Sequence, residues 1–165
     1  MRIVIDTETT GFKAGSDELL QIAVADYDGK ELFLSYLRPE RVREWPGAQR
    51  VNGISPEMVK NCPTAAEVRE TVQEIINAAD EVIGYNIEFD LGFLEAAGLD
   101  FGGKKITDTM LLFAEAYGEW DDYHGDYRWQ KLGTAAAYVG YEEHDAHDAM
   151  GDVLATIAVQ RWLEK

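Results

Sequence analysis

The chain has 165 residues, 46% hydrophobic and 11% aromatic, which suits one globular domain with a real core and argues against disorder. Its 31 acidic and 15 basic residues give a formal charge of −16, which counts against a general nucleic-acid coating protein or a lipid-surface binder. The single cysteine, Cys62, excludes an internal disulfide, and no stretch approaches the ~20 apolar residues of a membrane span.

The first element follows Met1 directly: RIVID, residues 2–6, reads as a strand, so no secretory leader is expected and a cytoplasmic setting is the default. ELLQIAVADY (18–27) and KELFLSYLRP (30–39) read as second and third strands, joined by the Asp-Gly turn of DYDGK, so the three are expected as antiparallel neighbours. In GISPEMVKN (53–61), Ser55 can cap a helix that starts at Pro56, and in TAAEVRETVQEIINAAD (64–80) Thr64 and Glu67 form a capping box. EVIGYN (81–86) predicts a fourth strand, EFDLGFLEAAGL (88–99) a helix, KKITDT (104–109) a fifth strand and MLLFAEAYG (110–118) a helix. HDAMGDVLATIAVQRWLEK (147–165) predicts a closing helix. Three strands followed by alternating helix and strand imply an α/β fold, one mixed five-stranded sheet with helices on its faces, in a single domain over 1–165.

Several acids sit where packing alone does not call for them. In DTETTG (6–11), strand periodicity sends Asp6 and Glu8 to the same side, a few ångströms apart, where like charges repel unless something positive joins them. Taken alone, the hexapeptide reads as a polar strand end before a glycine turn, and the rest of the chain must decide. Asp90 shares a helix stripe with Ile87, Phe93 and Leu94, which points it inward; pairing, a metal ion or a helix-capping role would each account for it. Asp152 falls within the stripe of Ala149, Thr156, Val159 and Leu163, and His147 lies five residues before it, either as a surface histidine or as one placed to exchange protons. Together, four inward carboxylates and a histidine form a hard, oxygen-rich set suited to Mg²⁺ or Mn²⁺. Two such ions support in-line displacement at a phosphodiester, with His147 as general base.

The ordered set DTETTG, GYNIEFD and HDAMGD resembles the three motifs of the DEDD 3′-to-5′ exonucleases with a histidine in the third motif. That superfamily includes the proofreading epsilon subunit of bacterial DNA polymerase III and ribonuclease T. VNGISPEMV and TDTMLL also look like its connecting segments, so the resemblance spans nearly the whole chain. It implies a ribonuclease-H-like fold and metal-dependent release of nucleoside monophosphates from a free 3′ end of single-stranded DNA or RNA. Carried over residue by residue, it places Asp6, Glu8, Asp90 and Asp152 as ligands of two divalent ions, Mg²⁺ or Mn²⁺, and His147 as the base. Thr9, Thr10, Asn86 and Phe89 match positions beside the substrate strand. A polymerase or another replication or repair protein is the candidate partner, with no membrane involved.

The chain departs from that pattern at Asp148, where relatives often carry a basic or small polar residue, and at Asp145, a further acid; His144 competes with His147, and the H-x4-D spacing favours the latter. EWDDYHGDYRWQKLG (119–133) follows no family pattern: Trp120, Tyr123, Tyr127 and Trp129 either stack on unpaired bases or anchor a loop. RPERVREWPGAQR (38–50) concentrates Arg38, Arg41, Arg43 and Arg50, which either guide a phosphate backbone or offset acidic surface. Two other functions remain open at this point: an inactive relative serving as an interaction module, and a hydrolase of nucleotides or small phosphodiesters.

Overall fold

A computed structural model describes residues 1–142 and 147–165. The apolar runs form β1 (Arg2–Thr9), β2 (Leu19–Asp26), β3 (Glu31–Tyr36), β4 (Glu81–Gly84) and β5 (Lys105–Asp108). They make one sheet in the order β3-β2-β1-β4-β5. As expected, β1, β2 and β3 are antiparallel neighbours, while β4 and β5 run parallel to β1, so the sheet is mixed. The turn between β2 and β3 depends on Gly29 at φ 90°, a left-handed conformation that glycine adopts without a steric penalty.

Between the strands lie α1 (Pro46–Asn52), α2 (Pro56–Val59), α3 (Ala65–Ala78) and α4 (Ile87–Ala96), and after β5 come α5 (Thr109–Tyr117), α6 (Leu132–Tyr138) and α7 (Ala149–Leu163). Both caps expected from sequence are made: Ser55 Oγ accepts from the Met58 N–H, and Thr64 and Glu67 exchange their capping-box bonds. One sheet face, with Ile3, Ile5, Ile22 and Val24, packs on Val72 and Ile76 of α3 and Phe93 and Leu94 of α4. The other, with Val4, Ala23, Ala25 and Ile83, packs on Ala149, Val153 and Ile157 of α7. Helices on both faces were expected, and strand alternation explains why β1 serves both layers.

Three local features differ from the sequence reading. β1 does not stop at Asp6 but runs on through Thr9, with Asp6 opposite Ala23 and Glu8 opposite Gln21, and its register shifts between Glu8 and Thr9. The β-branched threonines favour extended backbone, and the irregularity bends the strand where the acids stand. Part of the arginine-rich segment folds as α1, bracketed by Pro46 at its start and Gly53 in a left-handed C-cap. The aromatic segment carries a two-stranded hairpin, β6 (Trp120–Asp121) with β7 (Asp126–Tyr127), and is followed by α6, whose Ala135 packs with Phe113 and Val159. No helix among the described residues is long and apolar enough to cross a membrane.

Candidate active site

The site assembles at the end of β1. Since Val4 belongs to the layer under α7, alternation carries Asp6 and Glu8 to that same side, and α7 brings Asp152 in its first turn. Glu8, His147 and Asp152 each offer one ligand atom, and these atoms lie within 4.8 Å of one another. Thr7 faces the opposite layer and meets Asp90 of α4: its N–H and its hydroxyl both donate to Asp90 Oδ1, at 2.9 and 2.6 Å. Asp90 is only 3% exposed, inward as its helix stripe implied, and alongside it Ile87, Phe93 and Leu94 are buried. The two faces of one strand thus gather acids from two helices.

The electrostatics register this crowding. Burial first, then the carboxylates of Asp90, Asp152, Glu8 and Asp148, hold Asp6 well above the usual range. Burial and Asp152 push Glu8 up to about 8, against a hydrogen bond from Asn52 that pulls it down. Burial also raises Asp90, opposed by the two Thr7 hydrogen bonds, and the nearby Asp108 adds to the rise. A cluster of carboxylates that oppose one another's ionisation is one that a cation would relieve. Oxygen donors from Asp6, Glu8, Asp90 and Asp152 with one imidazole beside them fit a hard divalent ion by donor chemistry.

His147 precedes α7 with φ 66°, a left-handed conformation uncommon for a residue other than glycine, and its side chain is exposed. Asn86, at φ 58°, is the only other such residue among those described. Both lie in segments that carry the motifs, consistent with backbone strain concentrating at functional sites. Asn86 is held by its N–H, which donates to Asp108 Oδ1 at 3.0 Å, while the same oxygen accepts from Met110 N–H at 2.9 Å and caps α5. Asp148 serves the fold: it caps α7 by accepting from Gly151 N–H at 3.2 Å, and it accepts from Gln21 Nε2 at 3.2 Å. His144 and Asp145 lie outside the described residues.

The expected substrate residues divide. Thr9, Thr10 and Phe89 line a cleft of about 410 Å³ together with Glu8, Phe12 and, from α1, Gly47, Ala48, Val51 and Asn52, whereas Asn86 lies outside that lining. The threonine hydroxyls turn inward: Thr9 Oγ1 donates to Gly11 C=O at 2.7 Å, and Thr10 Oγ1 accepts from Glu18 N–H at 2.9 Å. They shape the turn, leaving the cleft wall to the side of these residues that faces it. A Cβ at Gly11 would lie 2.5 Å from the Asp17 carboxylate, so any larger residue there would push that side chain aside. Gln21, Asn52 and Asp108 support the site; Asn52 and Asp108 lie in the connecting segments VNGISPEMV and TDTMLL, whereas Gln21 lies in no motif.

An exonuclease-family model, RNase_T, matches residues 3–160. The uncharacterized exonuclease CP81 of Escherichia phage 186 is 32% identical over 171 aligned positions, covering 96% of this chain and 85% of that protein. The DNA polymerase III epsilon subunit of Treponema pallidum is 31% identical, covering 89% and 68%. Among solved structures, Escherichia coli exonuclease I in complex with a dT13 oligonucleotide superposes with a TM-score of 0.81 at 21% identity, covering 99% of this chain and 41% of that one. That likeness shows the fold, the ribonuclease-H-like mixed sheet, and this chain spans about two fifths of the exonuclease I chain's length. With a family model matching almost end to end and relatives that carry the exonuclease name, this chain belongs to the exonuclease family.

Proposed function

We propose that the chain is a single-domain 3′-to-5′ exonuclease that removes nucleoside monophosphates from the 3′ end of single-stranded nucleic acid. The observation that carries this reading is the meeting of Glu8, His147 and Asp152 beside Asp6 and Asp90, at the mouth of a cleft large enough for a nucleotide. Asp6, Glu8, Asp90 and Asp152 would hold two divalent ions, Mg²⁺ or Mn²⁺. When bound, the ions offset the clustered negative charge and act as Lewis acids toward the terminal phosphodiester. Thr7 keeps Asp90 oriented through two hydrogen bonds, so that its other oxygen is left for a ligand. His147, exposed and held outside the helix, takes a proton from the attacking water on a ring nitrogen and releases it to solvent. The Thr9–Gly11 turn and Phe89, whose ring lies 5.0 Å from that of Phe93, form the walls that receive the terminal nucleotide.

The test is to incubate 5′-labelled single-stranded DNA and RNA of equal sequence with the protein and Mg²⁺ or Mn²⁺. A ladder shortening from the 3′ end is expected. Internal cleavage of a circular single strand would show an endonuclease instead, and turnover confined to mononucleotide esters would show a small-phosphodiester hydrolase.

A further inference from the structure

The segment between β3 and α2 is fastened at both ends to the turn that carries the site. Glu18 is the hub on one side: its carboxylate accepts from the N–H groups of Glu40, Arg41 and Val42 at 2.9, 2.9 and 2.7 Å. Its own backbone is bonded to Thr10, which donates its N–H to Glu18 C=O at 2.8 Å. Arg41 is used within this frame, with Nη1 donating to Gly15 C=O at 2.9 Å. At the other end Asn52 Nδ2 donates to Thr9 C=O at 3.2 Å, and Trp45, 4% exposed, donates its indole N–H to Ile54 C=O at 2.7 Å. One side of α1 therefore forms a fixed wall of the cleft beside Glu8.

Arg50 lies in the last turn of α1, off the stripe of Gly47, Ala48, Val51 and Asn52 that lines the cleft, and Arg43 lies three residues before the helix starts. Both are exposed, and among the described residues neither makes an ion pair or a side-chain hydrogen bond. A guanidinium stays charged at any physiological pH, and residues 38–50 carry four arginines against Glu40 and Glu44, a local excess of positive charge on a chain whose net charge of −16 otherwise repels polyanions. We propose that Arg43 and Arg50 bind the sugar-phosphate backbone of a single strand upstream of the nucleotide in the cleft, so that strand affinity is set at α1 and turnover at the carboxylates. The proposal rests on the exonuclease reading above. The aromatic hairpin is a poorer track for a polyanion: it carries Glu119, Asp121, Asp122 and Asp126, and its Arg128 is paired to Glu119 and Asp121 at 3.2 and 3.5 Å.

The experiment compares the parent with Arg43→Gln, Arg50→Gln and the corresponding lysine variants on two substrates, a single-stranded DNA of roughly 16 nucleotides and the p-nitrophenyl ester of thymidine 5′-monophosphate, over a range of salt. Loss of one phosphate contact is expected to raise KM for the oligonucleotide about fivefold near 50 mM salt and to flatten the slope of log KM against log salt by ~0.7. Under the proposal kcat stays unchanged, turnover of the small ester stays unchanged, and the lysine variants stay close to the parent. Glutamine variants with the parent's KM and salt slope would overturn the inference alone, and so would an equal loss on the small ester, which would trace the effect to the cleft. A parent that cuts neither substrate would overturn the exonuclease reading and this inference with it.

Discussion

Repulsion stored in the ion-free site should be measurable as stability, and Glu8 is where its size can be worked out. Burial and the Asp152 carboxylate raise Glu8 from the usual 4.5 to about 8. A carboxylate whose pKa is raised by folding binds its proton more tightly in the native state, so its contribution to stability is present in full below pH 4.5 and is lost as pH climbs toward 8. A shift of this size would set a ceiling of ~5 kcal/mol at ~1.4 kcal/mol per unit. Glu8 is part-exposed, and solvent screening leaves ~1–2 kcal/mol. For a domain of this length that is ~2–8 °C in Tm. In excess chelator, Glu8→Gln should therefore melt ~2–8 °C above the parent at pH 8 and within about a degree of it at pH 4.5. Scanning calorimetry at both pH values, with and without Mg²⁺, is the assay. Added Mg²⁺ should stabilise the parent more than the variant, because the variant has lost a ligand. A variant less stable than the parent at pH 8 in chelator, with the same response to Mg²⁺, would refute the reasoning and make Glu8 a hydrogen-bonded structural group.

Asp6→Asn should behave like Glu8→Gln in the same calorimetry, whereas Asp90→Asn should gain less, because it weakens the hydrogen bonds that Asp90 accepts from the Thr7 N–H and hydroxyl. Thr7→Val removes the 2.6 Å hydroxyl bond to Asp90 and should cost ~1–2 kcal/mol, read as a Tm lower by ~2–8 °C. His147→Ala should lower kcat by ~10²–10⁴-fold while Mn²⁺ binding, followed by titration calorimetry, is largely retained; His144→Ala should do much less. A phosphate on the 3′ end of the oligonucleotide should slow degradation strongly in a gel assay, since that end is the one the cleft would receive.

What was legible in the sequence was set by short-range pattern. The cap at Ser55, the capping box at Thr64, the strand alternation of Asp6 and Glu8, and Asp90 on an apolar helix stripe all depend on residues within a turn or two, where period alone decides which way a side chain points. The full length of β1 was only partly legible: the apolar run ends at Asp6, and it is pairing with β2 that carries the strand on through Thr9. Helix α6 escaped for a related reason: LGTAAAY has no side-chain cap at Lys131, and its burial comes from contact with α5 and α7. The supports of the site were hidden by separation along the chain. Gln21 reaches Asp148 across 127 residues and Asp108 reaches Asn86 across 22, and neither pairing leaves a local trace. The threonines show the complementary limit: DTETTG gives their positions, but only the fold shows that the Thr9 and Thr10 hydroxyls are spent on Gly11 and Glu18.

The central claim is that the acids gathered around Asp6 hold the ions that make this chain cut strands from their 3′ ends. It is tested most directly by the rate at which a 5′-labelled single-stranded oligonucleotide shortens as free Mg²⁺ is raised from excess chelator, in the parent and in Asp152→Asn. No shortening in chelator, a 3′ ladder that grows with Mg²⁺ in the parent, and almost none at any Mg²⁺ in the variant are expected. An undiminished ladder in chelator, or a variant that matches the parent, would contradict the claim.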